Sequence, residues 1–497
     1  MLSEKVEMSI QSVNPRTGES FGPIIAPTTS AQVDSMIASA VTAFEKWSLT
    51  SATSRAKVLF ALADALDANT EKLVEIADAE TALGIPRLTG EVGRTTFQLR
   101  TFAQALEKGE FVAPSIDSAV DAPLPQGHPK FLKTLRAIGP VAVFGASNFP
   151  FAFSVLGGDT ASALAAGCSV VIKAHPAHPQ TSQLSFDIAK KALIDAGAPE
   201  GIISLGHGFD FGKSVITDPR ISAGAFTGSK AGGRALFDLA QDRECPIPFY
   251  GELGSVNPVV VTSTALSDVN AFAGAYLDSL LMGNGQFCTN PSVLFVPDNA
   301  EFINAVQEQL SHREPSPFLS EATKSLHDKN RADVISKTSA RLLQGKSAPT
   351  QGFFSSPAVL VVSAQSVLTH PEYLATECFG PTGLVVTYSH SDELHAVLSK
   401  LEGALVGCLF SQNISTAEEL ILNALASKAG RVAFNAWPTG VAVTAGQNHG
   451  GPYPASTSSL HTSVGTSAIT RFLRPVAFQG LPDESYRAVT ADTVKGK

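Results

Sequence analysis

An α/β fold with two doubly wound parallel-sheet domains and a smaller projecting arm is what this sequence predicts, and three observations carry that expectation. From Gly139 onward short apolar strands alternate with helical segments, the pattern of a parallel sheet covered on both faces. The alternation starts afresh after Pro258, which gives two such regions. At 497 residues the chain also exceeds what one hydrophobic core supports.

In chain order, the turn Asn14-Pro15-Arg16-Thr17-Gly18-Glu19 lies between two apolar pieces and predicts an opening hairpin. Thr29 and Ser30 are cap residues for a helix to about Ser48, with Val33, Ile37, Val41, Phe44 and Trp47 on one face. Similar patterns cover 54–66, 71–83 and the stretch from Pro86 to about Leu106. Residues 114–130, rich in Pro, Gly and Asp, lead into an alternating strand at 131–136. Strands are expected at 141–144, 169–172, 202–205, 224–226 and 247–250, with helices near 151–166, 181–196, 211–217 and 230–240. In the second region, strands 259–261 and 292–296 and helices 271–282 and 301–310 open an alternation that runs to about Arg431. Residues 469–478 read as a strand with no evident core partner, which suggests an arm exchanged in an oligomer.

Composition narrows the function classes. Residues are 44% hydrophobic and 16% charged, as in a well-packed enzyme. A net charge of -9 without any basic run argues against nucleic acid. The five cysteines, Cys168, Cys245, Cys288, Cys378 and Cys408, are far apart and lack any C-x-x-C pairing, so reduced thiols and no metal site are expected. The first twenty residues are polar and mixed in charge, and nowhere do 18 apolar residues run together. The expectation is a cytoplasmic protein with no signal peptide and no membrane segment.

Five stretches bear chemistry. Gly283-Asn284-Gly285-Gln286-Phe287-Cys288-Thr289-Asn290-Pro291 places a thiol among small residues between a helix and a strand. Cys288 there reads either as a nucleophile or as a small half-buried hydrophobe. Asn148, in Phe144-Gly145-Ala146-Ser147-Asn148-Phe149-Pro150, is an oxyanion donor or an ordinary helix cap. Phe226-Thr227-Gly228-Ser229-Lys230-Ala231-Gly232-Gly233 forms a glycine turn into a helix, suited to a phosphate but without the G-x-G-x-x-G fingerprint. Glu252, between Gly251 and Gly254 at a domain junction, is a base or a turn residue. Glu377-Cys378-Phe379-Gly380-Pro381 locks an acid and an aromatic ring into a turn.

Taken in order, Glu252-Leu253-Gly254, Gly285-Gln286-Phe287-Cys288 and Glu377-Cys378-Phe379-Gly380-Pro381, with the Asn148 and Ser229 stretches, resemble the aldehyde dehydrogenase superfamily from about Asn14 to Val476. The resemblance implies oxidation of an aldehyde to the acid through a cysteine thiohemiacetal and thioester. It makes Cys288 the nucleophile, Glu252 the general base and Asn148 the partner of the Cys288 backbone N–H in the oxyanion hole. Gly228, Ser229 and Gly233 would face the pyrophosphate, Lys173 the adenine ribose, Glu377 the nicotinamide ribose and Phe379 the nicotinamide ring.

The resemblance also implies a cofactor-binding domain over 1–120 and 139–250 and a catalytic domain over 251–433. An oligomerisation arm over 121–138 and 465–497, in a homodimer or homotetramer, completes the expected layout. After Lys173 the chain reads Ala174-His175-Pro176 where the family pattern commonly carries a glutamate for the adenosine ribose. NADP is therefore expected, with NAD as the other candidate, and His175, Lys173 and Lys213 are candidate phosphate partners.

Ser255-Val256-Asn257-Pro258 and His449-Gly450-Gly451-Pro452 resemble a branch that holds 2,5-dioxovalerate (α-ketoglutaric semialdehyde) dehydrogenases and an NADP-dependent fatty aldehyde dehydrogenase. Phe149, Phe153 and Leu156 follow Asn148 at helical spacing as candidate tunnel walls, and Arg471 or Arg474 could meet a substrate carboxylate. The rival of a different class is a thiol hydrolase, which needs an imidazole at Cys288, and none of the 11 histidines lies in the Cys288 loop.

Overall fold

The computed structural model describes residues 10–111, 114–254, 256–482 and 485; Ser255 and the end of the expected arm lie outside the described residues. The opening hairpin pairs Ile10–Asn14 with Glu19–Ile25. Four helices follow, Ser30–Trp47, Ala52–Asp67, Thr70–Thr81 and Ile85–Glu107. A capping box between Thr29 and Gln32 starts the first of them. The Trp47 indole N–H donates to Leu164 O at 3.0 Å and ties this layer to the sheet domain behind it.

The first sheet is wholly parallel, in the order Ile203–Gly206, Val170–Lys173, Val141–Phe144, Ala223–Gly228, Phe249–Leu253. Strand order reverses at Val141–Phe144. In doubly wound folds ligands bind beyond the carboxyl ends of the strands at such a reversal, and Asn148, Lys173 and Ser229 all follow strands ending there. The second sheet has seven strands in the order Arg341–Gln344, Ala358–Ser363, Thr382–Tyr388, Val293–Pro297, Pro258–Val261, Ala404–Phe410, Ala429–Phe434, and only its first strand is antiparallel. Its central strands are buried on both faces, which explains their unbroken apolar sequences.

Two expectations need correction. Residues 151–166 are not one helix, for the helix covers only Gly158–Ala166. The buried Glu91 carboxylate accepts from the Phe151 and Ala152 amides at 2.8 and 3.0 Å, and Ala146 N donates to Phe153 O at 2.8 Å, so this stretch folds as an irregular knot. The strand near 469–478 does have a partner in its own chain, since Leu473–Gln479 pairs antiparallel with Phe131–Ala137, whose other edge takes Ser115–Asp117. Residues 466–472, expected in the arm, form a 3-10 turn that buries Ala468, Ile469 and Phe472 in the core of the first sheet domain. Among the described residues no helix is long and apolar enough to cross a membrane.

Candidate active site

The Cys288 loop departs from the helix Val269–Leu281 through three consecutive residues in the left-handed region, Gly283 at φ 56°, Asn284 at φ 58° and Gly285 at φ 68°. A side chain at Gly285 would place its Cβ 2.1 Å from Gly380 O, so this glycine lets the cysteine loop lie directly on the Glu377–Pro381 turn. Asn257, fully buried, holds the loop from the sheet side. Its Nδ2 donates to Cys288 O at 2.8 Å and Asn290 O at 3.0 Å, while Oδ1 accepts from Val406 N at 3.1 Å. Sequence reasoning quoted Asn257 only as part of a variant motif, and nothing local marks it as a clamp.

Glu252 sits on the strand Phe249–Leu253, 4% exposed. Residues 455–457 run against that strand, with Leu253 N donating to Ala455 O and Thr457 N to Gly251 O, both at 2.9 Å. That pairing carries in His449, which sequence reasoning did not place in the site. His449 Nε2 lies 3.8 Å from Cys288 Sγ and 2.8 Å from Glu252 Oε1. The approach to Glu252 is off the line of a straight hydrogen bond. Ser463 Oγ donates to Glu252 Oε2 at 2.7 Å. Buried Nδ1 of His449 has no partner, so placing the ring proton on Nε2, toward the carboxylate, leaves only a lone pair unsatisfied.

Burial pushes the Cys288 thiol well above its usual range, and the charges of Glu252 and Glu377 push the same way. Burial also pushes Glu252 up, but His449 beside it and the hydrogen bonds from Ser463 and Cys288 outweigh that effect and hold the carboxyl below its ordinary value. The resting site is therefore a thiol facing a carboxylate, not a preformed thiolate. The three donor atoms of Glu252, Cys288 and His449 all lie within 4.8 Å of one another, a sulfur, nitrogen and oxygen set that could also hold a metal ion and that cysteine spacing had no means of showing.

Asn148 is 7% exposed and its Nδ2 donates to Gln286 O at 2.9 Å, which sets the amide beside the residue pair leading to Cys288. Phe149 packs edge-on against Phe153 at 5.3 Å and Phe287 at 5.2 Å, and Phe153 lies 6.2 Å from the His449 ring. Phe149 and Phe153 thus form one wall with Phe287, while Leu156 is core, 3% exposed and packed among first-domain residues. Arg471 lines a cavity with Glu252, His449 and Ser463, but its guanidinium is committed to an ion pair with Asp159 at 2.8 Å and to Ala468 O and Ser162 Oγ, while Arg474 projects from the arm strand away from the site.

The cofactor candidates gather around the reversal of the first sheet. Ser229 caps the helix Lys230–Gln241 and accepts from Gly232 N at 3.2 Å. Gly228 ends the strand leading to it. Gly233 is a packing glycine, since a Cβ there would lie 2.1 Å from Leu253 Cδ2. Glu377 approaches Gly254 so closely that an added Cβ would meet its Oε2 at 2.2 Å, and Phe379 follows it in the same turn.

His175 stacks on His178 at 5.6 Å and accepts from Ala177 N. Burial, His178 and Lys173 hold it well below its usual range, so it would meet a phosphate as a neutral hydrogen-bond donor and not as a cation. Lys173, at the end of its strand and 5.1 Å from the Phe209 ring, is the cation of this corner. A twelve-residue helix N-terminus, an acid poised by a glycine and a lysine at the third strand end fit a dinucleotide, so Ser229, Glu377 and Lys173 are the residues that would hold it.

A parallel-sheet α/β protein with two such sheets and a largely buried cysteine, glutamate and histidine cluster is what this geometry defines. The sequence profile of the Aldehyde dehydrogenase family matches residues 2–476, and the chain belongs to that family. It is accordingly an aldehyde-oxidising enzyme that depends on a nicotinamide cofactor. It is 39% identical over 486 residues to the alpha-ketoglutaric semialdehyde dehydrogenase 2 of Azospirillum brasilense, covering 96% of this chain and 92% of that one. The alpha-ketoglutaric semialdehyde dehydrogenase of Acinetobacter baylyi gives the same identity and coverage. A solved aldehyde dehydrogenase from Pseudomonas syringae, complexed with NAD+ and octanal, superposes with a TM-score of 0.81 at 23% identity over 97% of this chain and 95% of that one.

Proposed function

We propose that the enzyme oxidises 2,5-dioxopentanoate (α-ketoglutaric semialdehyde) to 2-oxoglutarate and prefers NADP. The observation that carries the chemistry is the meeting of Cys288, Glu252 and His449 within one cluster. The two relatives of that name support the substrate. Lys173 supports the cofactor, as a cation where the chain lacks a ribose-binding carboxylate.

The chain's residues divide the work as follows. Cys288 Sγ bonds to the aldehyde carbon as its proton passes to Glu252, and the carbonyl oxygen becomes an oxyanion within reach of Asn148 Nδ2 and the Cys288 backbone N–H. The nicotinamide, when bound, supplies the acceptor for the hydride leaving that carbon. Cys288 is left as a thioester. Glu252, its proton released to solvent, then takes a proton from water as the oxygen attacks the thioester carbon, and Cys288 departs as thiolate. His449 keeps Glu252 ionised and offers its Nε2–H to the departing sulfur. The imidazole demanded by the thiol-hydrolase reading is thus present, keeping Glu252 ready to take a proton in both halves of the same reaction.

The exposed edge of strand Leu473–Gln479 supports a homodimer or homotetramer joined there, and five free thiols support a reducing, cytoplasmic setting. The test crosses NADP and NAD with 2,5-dioxopentanoate and a long-chain aldehyde, read as initial rates of cofactor reduction. Preference for the keto acid with NADP supports the proposal. Preference for the long chain would make Phe149 and Phe153 the specificity wall of a fatty aldehyde enzyme, and no reduction at all would return the thiol hydrolase to first place.

A further inference from the structure

We propose that Arg94 is the carboxylate-binding group of the substrate tunnel, receiving the far end of an aldehyde whose reactive carbon lies at Cys288. The inference rests on the acidic-substrate reading above and names the residue that enforces it. Arg94 lies on the helix Ile85–Glu107, where Arg87, Glu91 and Arg94 recur every three or four residues on the face turned toward the site. Its Cζ stands 5.8 Å from the Phe153 ring, and that ring lies 6.2 Å from the ring of His449. One aromatic ring therefore separates the guanidinium from the catalytic cluster. The charges of Cys288 and Glu252 are felt at Arg94, which places the three in one electrostatic field.

Two adjacent unpartnered nitrogens distinguish this arginine from Arg87 and Arg431, each of which leaves one. Arg94 Nη1 donates to Val441 O at 2.5 Å, but buried Nε and Nη2 have no partner. Those two nitrogens form one edge of the guanidinium, the fork that holds a carboxylate through two parallel hydrogen bonds. Leaving both unsatisfied is costly, and an incoming carboxylate removes the cost. Arg87 is committed differently, with Nη2 on Asn148 O at 2.6 Å and its plane between Phe149 and Phe287 at 5.0 and 4.9 Å. Arg431 gives both Nη groups to Pro438 O and Gly440 O.

Charge agrees with the donor count. On their own helix Arg87 and Arg94 share a single carboxylate, Glu91, and Glu252 is a further acid felt at Arg94, so the helix face itself carries an excess positive charge that an acidic substrate would help neutralise. The five-carbon keto acid separates its aldehyde and carboxylate carbons by about 5 Å of extended chain, enough to bridge a single ring, whereas the shortest aldehydes are not.

The test compares wild type with Arg94→Leu and Arg94→Lys, using 2,5-dioxopentanoate and pentanal, a neutral aldehyde of the same length. Protection of Cys288 from iodoacetamide by glutarate, a dicarboxylate without an aldehyde, gives a readout independent of turnover. The expected result for Arg94→Leu is a loss of about 100-fold or more in kcat/KM for the keto acid, mainly in KM. Pentanal should change by less than about threefold, with glutarate protection gone. Arg94→Lys keeps the charge without the fork and should recover only part of the loss.

Equal losses for both aldehydes would mean that Arg94 acts through its Val441 contact, and no loss for either would mean that the carboxylate binds elsewhere; both overturn the assignment. If Arg94→Leu fails to fold, Arg94→Lys decides, since unchanged KM and intact protection in that variant would also overturn it. A wild-type enzyme indifferent to the carboxylate would sink the substrate reading itself. A selective wild type with selective variants would sink only the role of Arg94.

Discussion

His449 and Cys288, 161 residues apart in the chain, face each other across 3.8 Å, with Glu252 in contact with both. The thiol is thereby one member of a proton-sharing set. Burial and the charges of Glu252 and Glu377 raise its pKa, so the thiol must pass its proton within that set as it attacks.

The rate of Cys288 alkylation by iodoacetamide should therefore rise with pH through the neutral and alkaline range instead of reaching a plateau near neutrality. His449→Gln should slow the first turnover, the burst of cofactor reduction, by about 10²–10⁴-fold while cofactor binding persists. A burst of unchanged rate would show that Glu252 alone manages the thiol proton.

Asn257→Ala removes the donors that hold Cys288 O and Asn290 O and the acceptor of Val406 N. Cys288 O and Val406 N lose this side-chain partner while Asn290 O keeps Ser292, so a destabilisation of about 2–4 kcal/mol is expected in urea unfolding. Activity should fall with it, since the loop carrying the nucleophile loses its anchor. A variant of wild-type stability would show that water replaces the amide.

Gly285→Ala meets two obstacles, a left-handed φ of 68° and the Gly380 carbonyl oxygen 2.1 Å from the new Cβ. The obstructing atom is backbone, so no side-chain rotation relieves it. The expected outcome is folded protein with activity lowered by about 100-fold or more, because small misplacements of a nucleophile are costly. Wild-type kinetics would mean that the Cys288 loop and the Glu377 turn move apart without consequence.

Glu91 predicts a pH dependence of stability. Burial pushes its carboxyl from an ordinary 4.5 to about 7, against the pull of Arg87, the Phe151 and Ala152 amides and Arg94. A raised folded-state pKa means that the folded protein holds the proton more tightly than the unfolded chain. The contribution is complete below pH 4.5 and lost as pH rises through 7, roughly 3 kcal/mol in all. Glu91→Gln, which retains an acceptor for the two amides, should flatten urea-unfolding stability across that window; parallel profiles for the two proteins would refute the assignment.

The sequence exposed what is local. Cys288 and Glu252 stand in short stretches whose glycines announce tight geometry, and the strand and helix alternation made both sheets legible to within a few residues. What stayed hidden depends on distant partners. His449 lies in a region without regular elements and reaches the site only because residues 455–457 pair with the Glu252 strand. Residues 151–157 have the apolar content of a helix, yet their amides are taken by Glu91, sixty residues earlier. The arm strand lacked a visible partner because Phe131–Ala137 lies more than three hundred residues away.

The placement of Ala468, Ile469 and Phe472 also bears on how the protein is made. The strands of the first sheet all lie before residue 254, but the domain's interior is completed by a segment synthesised only after the whole second sheet. The nascent domain must wait, with an unfilled apolar cavity, while the entire second sheet is synthesised. Shortening the chain before residue 466 should therefore impair the first sheet domain, not the second.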